Sequence, residues 1–239
     1  MYSVVFTCYN RPEFLKETLD SWANVRGIES WRKWIFVEPS DRRDEVLRLI
    51  DKSPLDFTVV LNEWKFGVLH NPWVALDTAF YNGSDFAVLA EDDIIVSTDT
   101  VEYFTSASSM YSPEELLGVS AFTSNLSGDD RKLVRAPTFG GLVWGVWKKS
   151  WYDHLRDTWD HDYSTHNGIP GEQSGWDWNI STRIMPQLGK RFISPDVSRS
   201  RHIGRYGMHI TVQDFDSISP SPSFVLDRSP IEYYDGGDY

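Results

Sequence analysis

The first 97 residues switch repeatedly between two hydrophobic periods, and this alternation restricts the possible folds more than any other feature of the chain. A β-branched run, YSVVFTC (2–8), leads into PEFLKETLDSWANV (12–25), where Leu15, Thr18, Leu19, Trp22 and Val25 share one helical face. Pro12 suits a first helical turn. The same pair of patterns recurs as a strand WIFVE (34–38), a helix RDEVLRLI (43–50), a strand FTVVL (57–61), a helix around PWVALDTAF (72–80) and a strand DFAVLA (85–90). A β-α-β-α-β-α-β order predicts the α/β class: a Rossmann-like, mainly parallel sheet with helices on both faces and right-handed crossovers. Ligands of such sheets bind beyond the carboxyl ends of the strands. Tyr9-Asn10-Arg11, Glu38 and Glu91-Asp92-Asp93 all fall at those ends, so three strands aim polar groups at one crevice.

Past residue 97 the alternation breaks. A helix is expected over 99–111, a strand at GVSAFT (118–123), a polar loop at SNLSGDDRK (124–132) and a glycine-punctuated strand at FGGLVWGVW (139–147). KSWYDHLRDTW (149–159) reads as helical, DYSTHNGIPGEQSG (162–175) as a loop, and WDWNISTRIMPQL (176–188) as a helix that Pro186 ends or kinks. SISPSPS (217–223) and YYDGGDY (233–239) read as parts of a weakly ordered tail.

Hydrophobic residues at 41% and aromatics at 15% exclude a disordered polymer and supply one large core. A net charge of -12 argues against gripping an extended nucleic-acid duplex, because the only basic cluster, Arg199, Arg201, His202 and Arg205, is too small. Cys8 is the single cysteine, so no intrachain disulfide can form. The opening MYSVVFTCYNRP has no basic n-region or long apolar core, and no apolar run reaches the length of a membrane span. A soluble, cytoplasmic chain without a membrane partner is expected.

The acidic triplet interrupts an apolar run, FAVLAEDDIIVS (86–97). Three carboxylates in reduced dielectric repel one another and stay ionised only beside cations or hydrogen-bond donors. Mn2+ or Mg2+ takes oxygen ligands, commonly one or two carboxylates completed by substrate phosphates, which a short acidic cluster can provide. The plainer reading is an acidic turn entering a solvated loop.

Several blocks occur together in a fixed order: AVLAEDDIIVSTDTVEYF (87–104), LGVSAFTSN (117–125), FGGLVWGVWKKSW (139–151), GWDWNI (175–180) and ISPDVSRSRHIGRYG (193–207). Their order and spacing resemble the N-acetylglucosaminyltransferase I family, which has the GT-A fold, and VVFTCYNRPEFLKETL (4–19) is more weakly similar. The resemblance implies an inverting transfer of a sugar, possibly N-acetylglucosamine, from a UDP-type donor to a hydroxyl acceptor, with Mn2+ (or Mg2+) as cofactor. It implies a nucleotide-sugar half over 1–97, an acceptor-binding and catalytic half of the same compact domain over 98–215, and a tail over 216–239.

Carried over residue by residue, the resemblance makes Asp93 the metal ligand. Donor contacts fall to Arg11, by the nucleobase, and to Glu38, Asn71, Glu91, Asp92, Arg199 and Arg205, with Arg199 and Arg205 in a mobile loop that closes over the diphosphate. The family carries aspartate where this chain has Glu38, which leaves the nucleobase open. Asp177 matches an acid of the tryptophan-acid block and becomes the catalytic base; the competing role for it is a helix cap. Trp176 and Trp178 are assigned to the acceptor, and Trp144, Trp147 and Trp151 to the core. A late histidine reaches the metal in other GT-A enzymes, and His202 and His209 are the candidates here.

Two other classes compete. A phosphoester hydrolase would combine the triplet with Asp160, His161 and Asp162 in a two-metal site. A non-catalytic carbohydrate-binding protein would keep the scaffold without turnover. The NLS triplet (125–127) fits the N-glycosylation pattern and is read as a bystander.

Overall fold

The computed structural model describes residues 1–161, 175–206, 215 and 223–238. Strands β1 (Tyr2–Cys8), β2 (Arg32–Val37), β3 (Phe57–Leu61) and β4 (Phe86–Glu91) alternate with helices α1 (Pro12–Ala23), α2 (Arg43–Lys52) and α3 (Gly67–Tyr81), as the periodicity requires. All four strands are parallel in the order β3-β2-β1-β4, with Val5 opposite both Trp34 and Leu89.

The two-residue period of the strands divides the core into two layers. Val4, Phe6, Val88 and Ala90 pack with Leu15, Leu19 and Trp22 of α1, Val46 and Ile50 of α2, and Val101 and Phe104 of α4 (Thr100–Met110). Val5, Ala87 and Leu89 point to the other face and pack with Ala75, Leu76, Ala79 and Phe80 of α3. Each large apolar side chain so enclosed stabilises the fold by about 1.5–3 kcal/mol.

The second half extends the same sheet. Strands β6 (Gly118–Ser120), β7 (Lys132–Ala136), β8 (Trp144–Trp147), β9 (Phe192–Pro195) and β11 (Tyr234–Asp238) complete nine strands in the order β11-β7-β9-β6-β8-β4-β1-β2-β3. β8 is antiparallel to both β4 and β6, which ends the parallel run beside the acidic triplet. A separate antiparallel pair, β5 (Ile94–Val96) and β10 (Ser200–His202), lies just past that triplet. Helix α5 (Lys148–Ser150) continues as helical turns to residue 158, and α6 (Trp176–Asn179) continues through 180–184 into α7 (Met185–Leu188). No described helix is long and apolar enough to cross a membrane.

Three expectations are corrected. Residues 234–238 of the expected tail form β11, parallel to β7, with Arg135 bonded to Asp235; residues 217–222 lie outside the described residues. The expected polar loop runs through residue 131, and β7 follows it from Lys132. The expected strand at 118–123 stops at Ser120, because the Ser120 and Ser198 hydroxyls accept from the backbone N–H groups of Phe122 and Thr123. Helix α3 starts at Gly67, ahead of the expected Pro72. Proline has no N–H for the carbonyl four residues earlier. That carbonyl, on Val68, instead accepts the Trp176 indole N–H at 3.1 Å, so the helix tolerates Pro72 and gains a tertiary tie. Pro186 lies inside the last helical turn, which runs on to Leu188 before Gly189 ends it.

Candidate active site

The acidic triplet sits at the carboxyl end of β4, where α1 begins opposite it. Asp92 and Asp93 are each 3% exposed. The Arg11 guanidinium bridges them, with Nη2 at 2.5 Å from Asp92 Oδ1 and Nη1 at 2.7 Å from Asp93 Oδ2. Asp92 Oδ2 also accepts the Tyr9 backbone N–H at 3.1 Å, which locks the end of β1 against the end of β4.

The three carboxyls are driven apart in acidity. Burial, then the charges of Asp93 and Asp92, push Glu91 up to about 8, with Arg11 acting against them and the Asp177 charge adding a smaller push. Burial raises Asp92 to about 6 despite Arg11. Asp93 goes the other way: burial opposes its ionisation, but the hydrogen bond from His202 and the Arg11 charge outweigh it and hold the carboxyl below its usual range. Of the three, Asp93 is the one whose ionised form the site favours, while Glu91 is the one held mainly protonated at neutral pH. Its Oδ1 is buried without a hydrogen-bond partner.

A roof over this cluster comes from the far end of the chain. β10 brings His202 Nε2 to 3.0 Å from Asp93 Oδ2, and the Ile203 N–H donates to the Asp93 carbonyl at 2.9 Å. A Cβ built on Gly204 would stand 2.1 Å from Asp93 Oδ2, so only glycine lets the backbone pass this close. Tyr206 then packs on Phe14 at 4.8 Å between ring centroids and donates its hydroxyl to Glu13. At the crevice mouth, the Lys65 ammonium lies 3.9 Å from the centroid of the Tyr9 ring.

Other expected site residues fall in different places. Glu38 is 2% exposed, and its Oε1 accepts the N–H groups of Phe66 and Gly67 at 3.1 and 3.0 Å. Its Oε1 therefore caps α3 from a neighbouring strand end. Asn71 is buried and its Oδ1 accepts Asn62 Nδ2 at 3.0 Å, a strut between the end of β3 and α3. Arg199 is fully buried, with Nε 3.1 Å from Asp99 Oδ2 and Nη2 3.2 Å from the Tyr233 hydroxyl. A guanidinium committed to a core ion pair cannot close over a diphosphate, which corrects the assignment of Arg199. Arg205 is exposed beyond Gly204, its guanidinium 5.8 Å from the Phe215 ring centroid.

At the opposite wall, Trp176 is also corrected. It is 5% exposed and clusters with Trp159 and Trp144, at 5.0 and 5.6 Å between centroids, so it belongs to the core. Trp144, Trp147 and Trp151 are buried as expected. Trp178 remains at the surface, 38% exposed. The N-cap position of α6 is Gly175, which leaves Asp177 in the first turn without the cap role. Asp177 is exposed to solvent on one side, yet the surrounding protein desolvates it enough to raise its carboxyl above the usual value.

Among the described residues no group of three or more His, Cys, Asp or Glu side chains forms a metal cage. The His161 Nδ1 instead meets His70 Nδ1 at 3.0 Å. Asp162 and His209 lie outside the described residues. Two partnerships carry no signal in the sequence: Lys65 over Tyr9, and Gly204 against Asp93, each joining segments far apart in the chain.

The chain is 26% identical over 227 residues to the α-1,3-mannosyl-glycoprotein 2-β-N-acetylglucosaminyltransferase of Arabidopsis thaliana, covering 85% of this chain and 47% of that protein. No family model matches. Among solved structures, the mannosyltransferase PcManGT of Pyrobaculum calidifontis, in complex with GDP-Man and Mn2+, superposes with a TM-score of 0.56 at 18% identity, over 81% of this chain and 54% of that one. S. aureus TarS 1-349, in complex with UDP-GlcNAc, gives 0.58 at 15% identity, over 87% and 60%. The sheet therefore has the GT-A glycosyltransferase architecture that the sequence blocks implied, and the chain spans about half the length of the curated relative it matches.

Proposed function

We propose that this chain catalyses a metal-dependent, inverting transfer of a sugar, with N-acetylglucosamine the first candidate, from a UDP-type nucleotide donor to a hydroxyl of a glycan, protein or other acceptor. The observation that carries the reading is Asp93: a buried carboxylate at the end of β4, with one oxygen on Arg11 and His202 and the other unpartnered. An orphaned buried anion is costly, and an oxygen ligand aimed at a divalent cation removes that cost. Asp93 would hold Mn2+ or Mg2+, with His202 beside it. The bound ion would supply positive charge against the donor diphosphate.

The chain's own residues divide the remaining work. Glu91, held up to about 8, is protonated at neutral pH and can donate a hydrogen bond to a sugar hydroxyl in place of repelling the diphosphate. Arg11 and Arg205 add positive charge near the leaving group. Asp177 removes the proton of the acceptor hydroxyl as that oxygen bonds to the anomeric carbon. The anomeric carbon–oxygen bond to the diphosphate breaks as the new bond forms, its electron pair leaves with the nucleoside diphosphate, and the configuration inverts. The raised pKa of Asp177 suits a base that must gain a proton. Trp178, exposed beside it, offers a face for an acceptor ring.

Thermal unfolding with UDP-GlcNAc and with GDP-mannose, each with Mn2+, Mg2+ or chelator, tests the reading. A donor at about a hundred times its Kd stabilises the native state by about 2.7 kcal/mol. A Mn2+-dependent shift for one donor is the expected result, with Asp177→Asn keeping that shift and losing about 10²-fold or more of the turnover. A folded protein that takes up metal and shifts with neither donor overturns the donor assignment.

A further inference from the structure

Val143 has φ +62°, and it is the one non-glycine residue with positive φ among the described residues. A β-branched side chain disfavours this region, so the conformation persists only where its surroundings over-determine it. The surroundings do so on both sides. Val143 O accepts the Ala121 N–H at 2.8 Å, Leu142 O accepts the Ser200 hydroxyl at 2.6 Å, and Gly140 O accepts the Ser120 hydroxyl at 2.6 Å. The Phe139 N–H donates to the Ser181 hydroxyl at 3.0 Å.

These ties join the two walls of the crevice. Ser200 belongs to β10, two residues before the His202 that holds Asp93. Ser181 belongs to the helical run that begins at Trp176 and Asp177. The β4–β8 ladder ends with Leu89 opposite Trp144, so Val143 turns the chain away beside the last residues of β4, just before Glu91. A Cβ on Gly140 would meet Ser120 Oγ at 2.8 Å, which is why this approach needs glycine. One loop, 139–143, is thus pinned to the Asp93 side at one end and to the Asp177 side at the other, with its only strained residue at the junction.

We propose that the left-handed turn at Val143 is a positioning device, which holds the 139–143 loop so that the Asp177 helix keeps a fixed spacing from the Asp93 carboxylate. Its effect on turnover rests on the glycosyltransferase reading above; its effect on spacing does not. Val143 touches no reacting atom and acts through the loop.

The test compares Ser181→Ala, which cuts the helix-side tie, with Val143→Gly, which is at ease at positive φ and keeps the turn with both ties. UDP-GlcNAc with Mn2+ is the probe, release of UDP to water is the activity, and crystal structures of the parent and variants give the Asp93–Asp177 spacing. Ser181→Ala is expected to bind the donor within about threefold of the parent while UDP release falls by about 10²-fold, the cost of a displacement of about 1 Å at a reacting group. Val143→Gly is expected to behave as the parent. If Ser181→Ala fails to fold, Ser200→Ala, which cuts the tie to Leu142 on the Asp93 side, is expected to change spacing and turnover in the same direction. An Asp177 that does not move, or a UDP release that does not fall, overturns the proposal. If the parent releases no UDP, the activity reading has failed, and the spacing alone decides the role of the turn. Asp177→Asn with undiminished turnover removes Asp177 as base and leaves the spacing result standing.

Discussion

His202 Nε2 lies 3.0 Å from Asp93 Oδ2, a contact that closes across 109 residues of sequence and leaves the backbone at Gly204 against the same carboxylate oxygen. The anion at the centre of the site is therefore covered by a late segment, 202–206, that the first half holds through the β5–β10 pair and through Tyr206 on Phe14 and Glu13. Its properties depend on how tightly that segment closes.

Gly204→Ala tests that closure. The added Cβ would collide with Asp93 Oδ2 at 2.1 Å and crowd His202 Nε2 at 2.8 Å, so either the roof lifts or the carboxylate turns. Overpacking of this kind costs about 1–3 kcal/mol. The expected outcome is a modestly lower Tm with loss of the Mn2+-dependent shift by nucleotide sugar, read by thermal unfolding. Unchanged metal-dependent binding would show that Asp93 is not the ligand.

The triplet also sets a pH dependence. Glu91 stands at about 8 against an ordinary 4.5, and Asp92 at about 6 against 3.8, so the folded chain binds more protons than the unfolded chain between those values. Stability from these two groups is fully present below the ordinary carboxylate range and is lost as pH rises through the folded values. Asp93, held low, has the opposite sign and loses its contribution only in stronger acid. Without metal, Tm should fall from about pH 5 to about pH 8.5, by roughly 2–4 °C for each kcal/mol lost. Glu91→Gln should flatten the slope, and the Mn2+ shift should grow with pH because metal competes with protons. A metal-free Tm that rises over this range contradicts the assignment.

Arg199 offers a contrast between fold and ligand. Arg199→Leu strands Asp99 in the core beside Tyr233, and breaking a buried pair from one side costs about 3–5 kcal/mol. A large fall in Tm is expected, with donor affinity preserved at temperatures where the variant is folded. Combining it with Asp99→Asn should recover part of the loss. A stable Arg199→Leu with weakened donor binding would restore the loop arginine to the diphosphate.

The paired tryptophans should separate stability from acceptor use. Trp176→Ala opens the cluster of Trp144, Trp159 and Trp176 and frees the Val68 carbonyl, for a cost of about 3–5 kcal/mol. Trp178→Ala removes a surface ring and is expected to leave Tm nearly unchanged while raising the acceptor KM. The two variants compared by calorimetry and by acceptor titration check both halves of the statement.

The parallel half of the fold was legible because each strand and helix carries its own period, and the two-layer core follows from alternate residues such as Val4 and Val5 facing opposite helices. β7 and β11 were not legible. Lys132–Ala136 and Tyr234–Asp238 are polar or glycine-rich edge segments whose pairing comes from long-range hydrogen bonds that no local pattern encodes. In the site, Arg11, the triplet and Asp177 could be placed because they sit at predictable strand and helix ends. Arg199 and Trp176 misled for one reason: an arginine beside serines and a tryptophan beside an acid look accessible in one dimension. Asp99, Tyr233 and the tryptophan cluster that bury them come from elsewhere in the chain.

Arg11 pairs with Asp92 and Asp93 from within the first 93 residues, whereas His202 comes from far downstream. During synthesis the nascent chain emerges from its N-terminus at about 5–20 residues per second. The arginine can therefore neutralise the acidic turn several seconds before the histidine leaves the ribosome. Arg11 and the acidic turn thus need nothing from the C-terminal third in order to pair, whereas the His202 contact that completes the site has to span 109 residues.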